Sequence, residues 1–280
     1  MIEHFFDVIG MLPIQRALIA CLLCGAGCSI LSVFVILMKM PLIGVAMSHA
    51  AFAGAVLGML IGADPFISGF IVCLLLAALI GPVSDRSGMV PENMLGIFFS
   101  FTMGLAFLGL GILTRTKVTA LNLMWGSLLT ISNRDIYILL AVTVLPALFV
   151  LLFFKEIKSV LFHRTMARAS GVPERMIYYT LLFITGAVVS ANLSTVGGML
   201  IFALIVQPAA TAMQITYDLK KFFLISVASG VGSCVSGLYI SYVFDWPSGA
   251  SVVVCATVIF AVSFIFSPKR RDSRSRIQGV

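Results

Sequence analysis

A succession of long apolar runs, each matching the ~20 residues that cross a ~30 Å hydrocarbon core as an α-helix, constrains this chain more than any other feature. The stretch ALIACLLCGAGCSILSVFVILM, for example, carries no charge between Arg16 and Lys39. With 280 residues, 60% of them hydrophobic and 10% charged, and a mean hydropathy of +1.13, the chain holds more apolar side chain than a soluble core of its length could bury. Barrel strands would be short and strictly alternating, which these runs are not. The fold class is all-α: a polytopic helical membrane protein with eight to nine transmembrane helices.

The apolar runs are expected at about 14–38, 39–62, 66–80, 93–113, 136–154, 176–190, 196–213, 222–244 and 250–266. Gly62, Ala63, Asp64 and Pro65 make a tight outer turn, and GPVSDRSGMVPEN reads as an inner loop. Residues 114–133, semi-polar around Trp125, read as a short outer or partly re-entrant helix. ANLSTVGG suggests a broken helix whose freed backbone groups need cover, and Pro208 after Gln207 suggests a bend. A re-entrant 176–213 pair would reduce nine crossings to eight and move the N-terminus inside. MIEHFFDVIGMLPIQ lacks a basic n-region and reads as an interfacial helix. Residues 1–268 form one transmembrane domain, followed by a basic cytoplasmic tail, 269–280.

A net charge of +7 would point a soluble protein toward nucleic acid, but here the charges sit at span ends. With SPKRRDSRSR in the cytoplasm, counting back places Lys39, Arg86, Lys155, Lys158, Arg164, Arg168, Arg175, Lys220, Lys221, Lys269 and the four tail arginines inside. Arg16, Arg115, Lys117 and Arg134 fall outside. Fourteen against four obeys the positive-inside rule, so the basic charge is turned to membrane lipid rather than nucleic acid.

The second run, KMPLIGVAMSHAAFAGAVLGMLIG, carries a histidine at membrane depth. Ala46, Ala50, Gly54, Gly58 and Gly62 recur at four-residue spacing and form a ridge of the smallest side chains, so another helix, including the same helix of a second copy, can approach backbone to backbone. His49 lies about 60° around the helix from Ala46 and about 40° from Val45. Its ring is therefore expected against a protein neighbour or a cavity, either as a hydrogen-bonding group between helices or as part of a transport route. Ser229, Ser233, Gly237 and Ser241 form a second small-residue column.

Cys21, Cys24 and Cys28 share a helical face that suits either small-residue packing or a soft metal. No phosphate-binding loop G-x-x-x-x-G-K-[ST] occurs, no Asp or Glu lies in mid-span, and no catalytic constellation accompanies the histidine. The segment KEIKSVLFHRTMARASGVPER reads as a helix on the inner face, with Ile157, Leu161, Met166 and Ala169 as its apolar positions, stopped by Gly171 and Pro173. It serves either as a docking element or as an amphipathic surface loop.

Over nearly its whole length the chain resembles the membrane permeases of ATP-binding cassette (ABC) importers for manganese, zinc and iron. MPLIGVAMSHAAFAG, LNLMWGSLLTISNRD, MARASGVPER, VGGMLIFALIVQPAATA and DWPSGASVVV carry the resemblance, in matching order and spacing. It implies a homodimeric, non-enzymatic permease in a bacterial or archaeal cytoplasmic membrane. Two copies of a cytoplasmic ATPase would bind the ATP, and an extracytoplasmic metal-binding protein would deliver zinc, manganese or iron; no cofactor is held by this chain. Within residues 155–175, Met166, Ala167, Arg168, Ala169, Ser170 and Gly171 would form the coupling helix to the ATPase. The family pattern G-D-x-x-x-H falls on Gly44 and His49, which makes His49 the expected metal-gate residue, but the Asp position holds Val45. That departure weakens a hard-metal gate, since an imidazole alone prefers borderline cations, and Met47 lies on another side of the helix. Alternatives are an ABC permease for a chelated or uncharged metal species, an ATP-independent secondary carrier or channel, and a non-transporting membrane scaffold.

Overall fold

The computed structural model describes residues 12–113, 131–162, 164–267 and 269. Its helices are α1 (Leu12–Leu37), α2 (Ile43–Ile61), α3 (Pro65–Ser87), α4 (Pro91–Ile112), α5 (Asn133–Leu152), α6 (Phe154–Phe162), α7 (Arg164–Ala169), α8 (Glu174–Val196), α9 (Gly198–Ile215), α10 (Leu219–Phe244) and α11 (Ser248–Ile265). Among the described residues nine of these, all but α6 and α7, are long and apolar enough to cross a membrane. The semi-polar segment around Trp125, the interfacial N-terminal helix and His163 lie outside the described residues, as does the tail after Lys269.

Two loops differ from expectation. The inner loop after residue 80 is mostly helix: α3 runs through Pro82 to Ser87, and α4 begins at Pro91 after only three intervening residues. Pro91 suits a first-turn position because its missing N–H has no partner to lose there. The break near ANLSTVGG is one residue, Gly197, at φ 87° and ψ 153°, a conformation in which glycine alone is comfortable. Polar Asn192 and Thr195 therefore stay helical, with Thr195 Oγ1 donating to the Asn192 carbonyl at 3.0 Å.

The acids at the outer edges prove to be helix caps. Asp64 accepts from the Phe66 and Ile67 amides to start α3, Ser132 and Asp135 close a reciprocal capping box on α5, and Asp245 ends α10 in the left-handed conformation at φ 54°. The carboxylates of Asp64 and Asp135 are thereby engaged with backbone amides at helix starts.

The core is built on α1, α2 and α8, while α4, α5 and α11 present most of their surface outward. Helix α1 packs against α5, α9 and α10, and α2 against α3, α4, α8 and α9. The small-residue ridge of α2 is consumed inside the chain. A methyl group at Gly54 would come within 2.7 Å of the Ser68 carbonyl, and one at Gly58 would collide with the Ser68 side chain, so α3 occupies this ridge. Gly62 is no part of it: it is the left-handed cap of α2 at φ 73°, with open space around it. The second column is likewise used internally, Gly237 lying against the Val252 backbone of α11. Next to Pro208, which lacks the N–H for the Leu204 carbonyl, Ser32 of α1 bonds the α9 backbone: its Oγ accepts from the Ala209 amide at 3.0 Å and donates to the Val206 carbonyl at 3.4 Å. The inner end of α9 is tied down by Lys269, whose ammonium donates to the Met213 and Thr216 carbonyls and lies 3.6 Å from the Tyr217 ring centre.

Candidate functional site

His49 lies seven residues into α2, and its ring faces a cavity of about 290 Å³. The walls are Val45, Ser48 and Phe52 from α2, Leu193 from the end of α8, and Gly198, Met199 and Phe202 from the start of α9. The imidazole also packs against Phe99 of α4 in a T-shaped pair, ring centres 5.1 Å apart and planes at 69°. Its Nδ1 is buried without a hydrogen-bond partner among the described residues. A polar atom left unpaired at this depth costs free energy, so its neighbourhood is arranged for something other than stability.

The α8–α9 corner gives the cavity its shape. A Cβ on Gly198 would stand in ordinary van der Waals contact with Ser48, at 3.7 Å, which puts the helix break beside the α2 turn that carries His49. The chain thus places an interrupted backbone, with the C-terminal end of α8 and the N-terminal end of α9, beside its one intramembrane histidine. Asn192, 1% exposed, sits in the last turn of α8; its Nδ2 donates to the Val188 carbonyl at 2.7 Å and its Oδ1 is unpaired among the described residues.

Behind the cavity the packing is tight. The Cys73 thiol of α3 donates to the Met47 carbonyl at 3.4 Å and the Gly186 carbonyl at 3.3 Å, tying α2, α3 and α8 together at one point. Met47 is fully buried against Gly186 and faces away from the cavity. Val45 does line the cavity, so the position where the resemblance expects a carboxylate faces the same space as His49. Met199, Phe202 and Ser48 were not foreseen; the break at Gly197 was visible in the sequence, but nothing in the spacing tied it to α2.

Among the described residues no group of three or more His, Cys, Asp and Glu is disposed to hold a metal ion. The cysteines of α1 are packing groups: Cys24 and Cys28 touch at 3.9 Å between sulfurs, and Cys234 of α10 bonds Cys21. All four are buried.

The inner segment forms two short helices. Ile157 and Val160 of α6 and Ala167 of α7 are buried, while Met166, Arg168, Ala169, Ser170 and Gly171 are exposed. Met166 and Ala169 therefore do not anchor the segment, as the expected apolar face had them; Ile157, Val160 and Ala167 do. Arg164 holds it to α8 through Glu174 at 3.0 Å and by lying 4.2 Å from the Tyr178 ring centre. Tyr178 in turn bonds the Met40 sulfur at 3.5 Å, just ahead of α2. Gly171 closes α7 at φ 79°, with the Val172 amide donating to the Ala167 carbonyl.

A match to the ABC 3 transport family extends over residues 11–267. The chain belongs to this family. It is 34% identical over 270 residues to the manganese transport system membrane protein MntC of Halalkalibacterium halodurans, covering 96% of this chain and 92% of the relative. It is 31% identical over 258 residues to a probable iron transport system membrane protein of Haemophilus influenzae, covering 91% and 90%. Among solved structures it is similar to PsaBC from Streptococcus pneumoniae in complex with Fab, with a TM-score of 0.86, 30% identity, and 99% and 100% of the two chains covered. As an ABC 3 transport family member with nine apolar helices among its described residues, the protein is a multi-pass permease of a bacterial membrane.

Proposed function

We propose that the chain carries divalent transition-metal ions, with manganese and iron foremost, through the route that His49 borders. The observation behind this reading is the coincidence of an imidazole nitrogen, His49 Nδ1, unpaired among the described residues, an interrupted helix and an open cavity. In this reading two copies of the permease work with two cytoplasmic ATPases, which hydrolyse the ATP, and an extracytoplasmic binding protein delivers the ion. The exposed residues of α7 and the turn after it, Met166 and Arg168 to Gly171, offer the ATPase a contact that Arg164 and Tyr178 link to the start of α2. Movement of α7 is thereby passed to the helix carrying His49. No cofactor is required by the permease itself.

The test is uptake of radioactive manganese or iron by liposomes containing the permease, its ATPase and the binding protein. Uptake should require ATP, and His49→Ala should reduce it at least about tenfold, a change equivalent to about 1.4 kcal/mol, with the protein still folded. Uptake that proceeds without ATP, or an undiminished rate in His49→Ala, overturns the reading.

A second reading has a specific support. Apart from His49 and Ser48 the cavity lining is apolar, and among the described residues no carboxylate faces it. Such a lining suits a chelated or uncharged metal species better than a bare hard cation. Competing free ion against chelate in the same liposomes separates the two.

A further inference from the structure

We infer that a groove at the inner end of α1, α5 and α10 is a binding site for an anionic phospholipid, separate from the His49 cavity. Helices α5 and α10 both pack on α1 but on nearly opposite sides of it: Gly27 takes Thr143 of α5, and Ser29 takes Gly230 of α10. At 100° per residue, Ile30 lies between those two lines of contact. Ile30 therefore forms the floor of an open groove of about 510 Å³, walled by Ala147 and Val150 on one side and Phe223 on the other. Phe154 closes the inner end, tilted against Phe223 with ring centres 6.3 Å apart. Lys220 is the one charged residue in the lining.

The chemistry is that of one amphiphile. An apolar slot open to the bilayer accepts an acyl chain, and a cation at its cytoplasmic mouth accepts a phosphodiester. The surroundings reinforce the sign. Lys221 follows Lys220, and Lys155 and Lys158 extend from α6, all exposed at the same membrane face. Of the nearby acids, Asp218 is engaged in capping α10, its carboxylate accepting from the Lys220 amide at 2.9 Å, and Glu156 lies in the first turn of α6. A zwitterionic lipid could fill the slot equally well but would gain less at its mouth, since each lysine near the surface favours an anionic headgroup by about 1 kcal/mol.

The experiment titrates the purified full-length permease in detergent with phosphatidylglycerol, phosphatidylcholine or inorganic phosphate, reading retained lipid by native mass spectrometry and thermal unfolding in parallel. Phosphatidylglycerol should be retained over phosphatidylcholine by about fivefold for each lysine engaged, and should raise the unfolding temperature. Lys220→Gln with Lys221→Gln should remove the preference, and Ala147→Phe should displace the lipid with the lysines intact. Arg86→Gln, at the inner end of α3, should change nothing. Equal retention of the two lipids, a preference that survives the lysine substitutions, or stabilisation by inorganic phosphate alone would each overturn the inference.

Discussion

The α1–α10 seam and the cavity side of α2 are made from the same small and polar residues, yet one is sealed and the other open. In the seam, Gly25 faces the Gly230 carbonyl so closely that a Cβ would lie 3.1 Å away, and Ser226 Oγ donates to the Ser29 carbonyl at 2.8 Å. Four thiols fill the remaining space. Each region also holds a buried polar atom without a partner among the described residues, Ser29 Oγ in one and His49 Nδ1 in the other. The difference lies in what stands beside that atom. Ser29 Oγ is pressed against Gly230, whereas His49 faces open volume and a helix end. An unpaired polar group in a membrane core therefore points to a route only where the packing stops beside it.

The comparison is broken most directly at Gly230. Gly230→Val would drive its branches into Ser29 and toward the Gly25 carbonyl, neither of which can withdraw from two helices in backbone contact. Overpacking of this kind costs on the order of 3 kcal/mol. Chemical unfolding in detergent should show that loss, while metal binding per folded molecule stays within about twofold of the parent, since the seam takes no part in the route. A folded Gly230→Val protein with its cargo affinity abolished would make the seam part of the pathway.

Val45→Asp sharpens the other side. An aspartate four residues before His49 presents an oxygen and an imidazole nitrogen on one helix face and into one cavity. Manganese affinity, measured by calorimetry on the purified permease, should rise about tenfold, equivalent to about 1.4 kcal/mol. The apo protein should be less stable, because a carboxylate replaces a valine among Phe52, Met199 and Phe202. Unchanged affinity would mean that the cargo does not pass close to Val45.

How much of this was legible in the chain depends on whether the information was local. The nine apolar helices among the described residues answer to apolar length, and the reading of residues 155–175 as an inner-face segment rests on charge placement, both local properties. His49 stood out because a titratable group at membrane depth is conspicuous wherever it packs. What it faces was not legible, since Met199 and Phe202 reach it from 150 residues away, across a corner whose depth only packing decides. The ridge of α2 misled for a related reason. Four-residue spacing announces a close helix partner without naming it, and the partner at Gly54 and Gly58 is α3 of the same chain. The soft-metal alternative for Cys21, Cys24 and Cys28 had the same ambiguity, because the residue types that bind sulfur-seeking metals also pack well as small apolar groups.

That ambiguity sets the smallest effect. Cys24 and Cys28 touch at 3.9 Å, and among the described residues no metal-holding group of His, Cys, Asp and Glu includes them, so Cys24→Ala removes one sulfur from a close-packed seam. The loss should be about 1 kcal/mol, in the range of a methyl-sized deletion. Any shift that zinc, copper(I) or a strong chelator causes in the unfolding should be the same in both proteins. A chelator-sensitive unfolding temperature that disappears in Cys24→Ala would turn the seam into a metal site and erase the contrast with α2, because both regions would then combine ligand atoms with a function. An equal response in both proteins leaves sulfur acting here by shape alone, and leaves His49, with space beside it, as the group positioned to meet a cation.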